Sequence, residues 1–160
     1  MSHLAPTPYA DVNALLVDLL GSVRQALGPQ FIGFYLYGSL AIGGFKPGRS
    51  DIDFLVVTAG ETDARELAAL QAMHQEIASR PSLWANELEG SYIPAAALRR
   101  YDPRRALHPH IDRGSNELKI EQHETDWVVQ RWVTRQHGVR LAGPPPDALI
   151  DPIPADALRA

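Results

Sequence analysis

FIGFYLYGSLAIGGFKPGRSDIDFLVVT, residues 31–58, is the stretch on which the reading of this chain turns. Phe31 to Tyr37 is almost continuously apolar, as expected of a strand covered on both faces. Gly38-Ser39 follows at once, with a short helical turn expected over Leu40 to Gly43. Gly44 to Ser50, with Lys46, Pro47, Gly48 and Arg49 between, has the turn chemistry of a loop. Asp51 to Thr58 then reads as a second buried strand. Alternate residues of a strand share a face, so Asp51 and Asp53 point the same way, with Leu55 and Val57 behind them. Ile52, Phe54 and Val56 make the other face. Burying unpaired carboxylates is costly, so two acids on one face of so apolar a strand need a positive partner. A divalent metal is one candidate, and with it phosphate chemistry: Mg²⁺ prefers oxygen ligands and takes one or two carboxylates plus substrate phosphates. The plainer alternative is a strand-edge pair that caps the loop or bridges to Arg49.

Upstream, Val12 to Leu27 repeats apolar residues at helical spacing, with Asp11 as the expected cap and Gly28-Pro29 as the stop. Residues 1–8 read as a loose arm. Downstream, Thr62 or Asp63 is placed to cap a helix from about Ala64 to Ser79, ended by Pro81. Glu87 to Ile93 reads as a third strand, Pro94 as its end, and Ala95 to Arg100 as a short helix. Residues 101–116 read as a loop and a tight turn, which would leave His108 and His110 on a surface loop. Glu117 to His123 alternates like a half-exposed strand. Thr125 or Asp126 would cap a helix through Gln136, closed by Gly138, and Val139 to Ala142 reads as an extended piece. On that helix Trp127 and Trp132 read as core or interface residues, and Arg131 and Arg135 share one face.

The expected organisation is one domain over residues 1–143 and a proline-rich exit over 144–160, the latter read as the start of a C-terminal helical domain. A chain of 160 residues, 45% hydrophobic and 21% charged, has enough apolar material for a single core. Its net charge of −4 argues against non-specific nucleic-acid binding, which needs a basic footprint. No apolar run reaches membrane-spanning length, and MSHLAPTPYADV lacks the basic end and apolar stretch of a signal peptide. The absence of cysteine excludes disulfides and thiolate metal sites and fits a cytoplasmic location.

Gly38-Ser39 strengthens the phosphate reading. A Gly-Ser after a buried strand presents backbone N–H groups and a hydroxyl where glycine allows an anion to approach closely. Taken alone it is also an ordinary strand-to-helix turn. Together with the two acids that follow after eleven intervening residues, it sets a phosphate cradle beside a metal site.

Here the chain resembles the nucleotidyltransferase superfamily, which shares the fold of DNA polymerase β and is marked by Gly-Ser followed after a short connector by Asp-x-Asp. The resemblance sharpens to the streptomycin and spectinomycin adenylyltransferases through YGS, GGFKP, SDIDFLV, LEGSYIP and LAGPPPDALIDPIP, and it covers nearly the whole chain. It implies an α+β fold with a small, mixed, twisted sheet and flanking helices. It implies Mg²⁺ on Asp51 and Asp53, with Glu89 as third carboxylate, metal ligand and base on the acceptor hydroxyl; Glu87, two residues earlier on the same face, is the alternate. Gly38, Ser39 and Ser50 would contact the triphosphate of ATP, with Lys46 and Arg49 as lesser candidates. The activity implied is transfer of AMP to a hydroxyl of a small acceptor, an aminoglycoside among them, with release of pyrophosphate. No nucleic-acid or membrane partner is expected, and the acceptor site would be shared with a helical partner domain. The alternative is an antitoxin-like binding module that acts through contact with a helical partner or by self-association.

Overall fold

The computed structural model describes residues 5–47 and 49–159; Gly48 and the first four residues of the expected N-terminal arm lie outside it, as does Ala160. One six-stranded sheet runs β5-β4-β3-β2-β1-β6, with β1 Phe31–Leu36, β2 Ile52–Thr58, β3 Leu88–Pro94, β4 Leu107–Ile111, β5 Lys119–Gln122 and β6 Val139–Ala142. Only β2 and β3 are parallel; the other neighbours are antiparallel, so the sheet is mixed. The parallel pair needs a long crossover, supplied by helix α3 Ala64–Ala78.

The period-two pattern of β1 and β2 sorts their side chains between two cores. Phe34, Leu36, Ile52, Phe54 and Val56 pack under α1 (Ala10–Leu27) and α3. Tyr35, Tyr37, Leu55 and Val57 pack on the opposite face. There they meet α4 (Ala95–Arg99), α5 (Trp127–His137) and the short helix α6 (Pro146–Leu149). Between β1 and β2 the chain makes only the four-residue helix α2, Ser39–Ile42, and a loop. No helix among the described residues is long and apolar enough to cross a membrane.

Helix starts differ from the sequence reading where tertiary contacts claim the capping residue. α1 begins at Ala10 without a side-chain cap, because the Asp11 carboxylate accepts from Trp84 Nε1 at 2.7 Å and from Val12 N. Asp126 flanks α5 and makes no side-chain cap bond. Asp63 does cap α3, in a reciprocal capping box with Glu66.

The largest departure lies in residues 101–116, read as loop and turn. Leu107-His108-Pro109-His110-Ile111 is a strand, and β3 pairs with its last two residues, Ser91↔His110 and Gly90↔Ile111. The histidines expected on a surface loop are buried, His108 at 1% exposure and His110 at 5%. The proline-rich exit is also packed down: Leu149 and Ile150 join the second core, and Asp151 pairs with Arg99 and Arg100. Arg131 is buried, its guanidinium donating to the carbonyls of Ala97, Leu98 and Trp127. It thereby satisfies the end of α4.

Candidate active site

The site forms where the parallel pair begins. Asp53 and Glu89 are register partners across β2 and β3, so their side chains stand side by side on one face. Asp51, just before β2, joins them: one carboxylate oxygen from each of Asp51, Asp53 and Glu89 lies within 4.8 Å of the others. Arg49 makes no ion pair with them among the described residues. Glu87 is drawn away onto the Arg113 guanidinium, and Glu89 accepts from the Arg113 backbone N–H at 3.5 Å.

Burial, with the charges of Asp51 and Glu89, pushes the Asp53 carboxyl up to about 8, against a smaller opposing pull from Arg113. Burial and Asp51 also raise Glu89. Tyr37, beneath them, is raised by burial first and then by Asp53, Glu89 and Asp51. Three carboxylates brought together and partly desolvated repel one another until a cation neutralises them. All-oxygen donors at this spacing suit a hard divalent cation.

Gly38 closes the other side. Its φ of 68° and ψ of −147° suit glycine alone, and a Cβ there would run into the Asp53 carboxylate. The turn is held to the strand by Tyr37 N donating to Asp53 O at 3.1 Å. Ser39 follows at the start of α2, its hydroxyl buried with no hydrogen-bond partner among the described residues. Ser50 lies in the loop, where its hydroxyl accepts from Lys46 N at 3.0 Å. The structure therefore brings Gly38, Ser39, Asp51, Asp53 and Glu89 to one end of the sheet. Ser50 borders the loop that leads into it, and Lys46 and Arg49 are exposed on that loop.

Sequence reading missed the outer wall. The polar face of β2 and β3 continues onto β4 and β5 with Ser91, His108, His110, Asp112, Lys119, Glu121 and His123. Ser91 Oγ lies 2.6 Å from His110 Nδ1 and 3.0 Å from His123 Nε2. His123 stacks flat on Trp127 with ring centroids 3.8 Å apart, and Tyr37 meets Trp127 edge-on. Trp127 is thus a packed residue, as expected. The cleft this wall bounds holds about 290 Å³ and takes carboxylates from Asp53, Glu89, Asp112, Glu121 and Asp126. The sequence signal that could have found it was the alternation His108-x-His110-x-Asp112, which Pro109 disguised.

A glycine-serine turn and an aspartate pair thus stand together at the mouth of a mixed sheet, and residues 18–131 match the nucleotidyltransferase domain family, to which this chain belongs. Among curated proteins it is similar to the aminoglycoside (3'')(9) adenylyltransferases of Shigella flexneri and Klebsiella pneumoniae, each 29% identical over 157 residues that cover 93% of this chain. The chain spans about 60% of the length of those relatives. Among solved structures it is similar in fold to the spectinomycin adenyltransferase AAD(9) of Enterococcus faecialis, solved with ATP and spectinomycin. The TM-score is 0.72 at 19% identity, over 91% of this chain and 62% of that one.

Proposed function

We propose that this chain carries the nucleotide-handling half of an adenylyltransferase, moving AMP from ATP to a hydroxyl of a small cationic acceptor of the aminoglycoside class. The observation that carries the reading is the convergence of Asp51, Asp53 and Glu89 within 4.8 Å beside the Gly38-Ser39 turn. Asp51 and Asp53, with Glu89, would hold Mg²⁺, which when bound supplies charge neutralisation at the triphosphate and polarises its α-phosphorus. The Ser39 hydroxyl, unpartnered among the described residues, would donate to a phosphate oxygen at the Gly38-Ser39 turn, and Ser50 would contact the same phosphates. Glu89, raised by its surroundings, is suited to take the proton of the acceptor hydroxyl as its oxygen bonds to phosphorus and the bond to pyrophosphate breaks.

The acidic cleft supports a cationic acceptor, since Asp112, Glu121 and Asp126 extend the negative wall away from the metal carboxylates. Residues 144–160 are read as the exit toward a helical domain that would complete the acceptor site, and the cytoplasm, where ATP is supplied, as the place of action. Calorimetric titration of Mg·ATP, with pyrophosphate release in the presence of spectinomycin or streptomycin, tests the proposal. Asp53→Asn is expected to lose metal-supported ATP binding; unchanged Mg·ATP affinity in that variant would remove the metal role.

A further inference from the structure

We propose that Glu89, His110 and Asp112 form a second cation site with a different metal preference from the aspartate pair, one that takes a borderline transition ion such as Zn²⁺, Co²⁺ or Ni²⁺. One ligand atom from each of these residues lies within 4.8 Å of the others, where the cleft passes from β3 to β4. The donor set differs in kind from Asp51, Asp53 and Glu89. An imidazole nitrogen favours transition ions, whereas all-oxygen sets suit Mg²⁺ and Ca²⁺.

His110 is oriented as a ligand would be. Its side chain is 6% exposed, and Nε2 lies 3.2 Å from Asp112 Oδ1 and 3.3 Å from Glu121 Oε2. On the far side of the ring, Nδ1 lies 2.6 Å from Ser91 Oγ, itself 3.0 Å from His123 Nε2. Metal-bound histidines regularly engage their other nitrogen in such a bond, which fixes the ring and its tautomer. With a cation on Nε2, Nδ1–H would donate to Ser91 Oγ and Ser91 would donate on to His123 Nε2. Lys119 lies outside, on Asp112 Oδ2 and Glu121 Oε1, so the inner oxygens Asp112 Oδ1 and Glu121 Oε2 are the ones turned to the ring.

This inference rests on the nucleotidyltransferase reading only through Glu89, the residue common to both sets. The test separates them by titrating Co²⁺ alone into the protein, without nucleotide. Visible absorption and calorimetry report binding, and the hyperfine-shifted imidazole N–H proton reports histidine coordination. Wild type is expected to show that proton signal. His110→Gln should lose it and weaken one Co²⁺ step by about tenfold or more, while Asp51→Asn keeps it. Asp112→Asn, at a half-exposed position, should weaken the same step without touching the core, and it decides the matter if His110→Gln melts early. Equal Co²⁺ binding by wild type and Asp112→Asn, or no imidazole signal in wild type, overturns the proposal. Loss of the Asp51-dependent step alone would show that only the aspartate site binds metal. Full Co²⁺ binding in Asp51→Asn with loss in Asp112→Asn would leave this site standing and count against the first.

Discussion

At the scale of single residues, Gly38 and Ser39 give up stability to the site: Gly38 to let the Asp53 carboxylate close in, Ser39 to leave a hydroxyl unpartnered among the described residues. Gly38 occupies backbone geometry that is essentially confined to glycine, with Asp53 where a Cβ would stand. Gly38→Ala is expected to lower unfolding free energy by about 1–3 kcal/mol in denaturant titrations, from strain alone. It should also abolish Mg·ATP binding, because the side chain displaces a proposed ligand. Ser39 behaves differently. A buried hydroxyl without a partner costs roughly 1–3 kcal/mol, so Ser39→Ala should leave the ligand-free protein as stable or about 1 kcal/mol more stable. The same change should weaken Mg·ATP binding by calorimetry. A less stable variant with intact nucleotide affinity would mean that Ser39 serves packing and not phosphate.

At the scale of elements, β2 was legible because its pattern is local. Ile52, Phe54 and Val56 against Asp53, Leu55 and Val57 is a period-two partition that needs no partner strand to be seen. The three acids were legible for the same reason, given the resemblance that pointed to Glu89. β4 was not. Its sequence offers a proline and two histidines where strands favour β-branched residues. What makes it a strand is long-range: Ser91 on β3 satisfies His110, and Trp127 on α5 covers His123 beside it. Caps followed the same rule. Asp63 caps α3 through neighbours three residues away, whereas Asp11 was claimed by Trp84, 73 positions along the chain. This gives a prediction for one helix: Asp63→Ala should cost about 1 kcal/mol of stability and leave Mg·ATP affinity unchanged. A change in that affinity would mean that α3 is coupled to the site more tightly than its position behind the sheet implies.

Across the whole molecule, two sets of buried groups pull stability in opposite directions with pH. His74 is held down to about 4 by burial between the sheet and α3, where it bonds Tyr92. His108 and His123, on the opposite face, are also held down by burial, to about 4 and about 3. Below the unfolded value of about 6.5, the unfolded chain takes up protons that the folded one refuses. Stability therefore falls as pH drops through that window, by up to about 1.4 kcal/mol per pH unit for each histidine. Asp53 acts in reverse: raised to about 8, it is protonated in the metal-free fold at pH values where the unfolded chain is ionised. Stability then rises as pH falls from above 8, until the histidines take over. The expected profile for the metal-free protein has its maximum near pH 6.5, measured by chemical unfolding at fixed ionic strength. His74→Gln should shallow the acid limb by about one proton's slope and leave the alkaline limb alone. Asp53→Asn should flatten the alkaline limb, and so should saturating Mg²⁺ in wild type, because a bound cation keeps that carboxylate charged. If Mg²⁺ flattens the limb in wild type but Asp53→Asn does not, the proton that couples folding to the cleft resides on another carboxylate, and Glu89 is the one to substitute next.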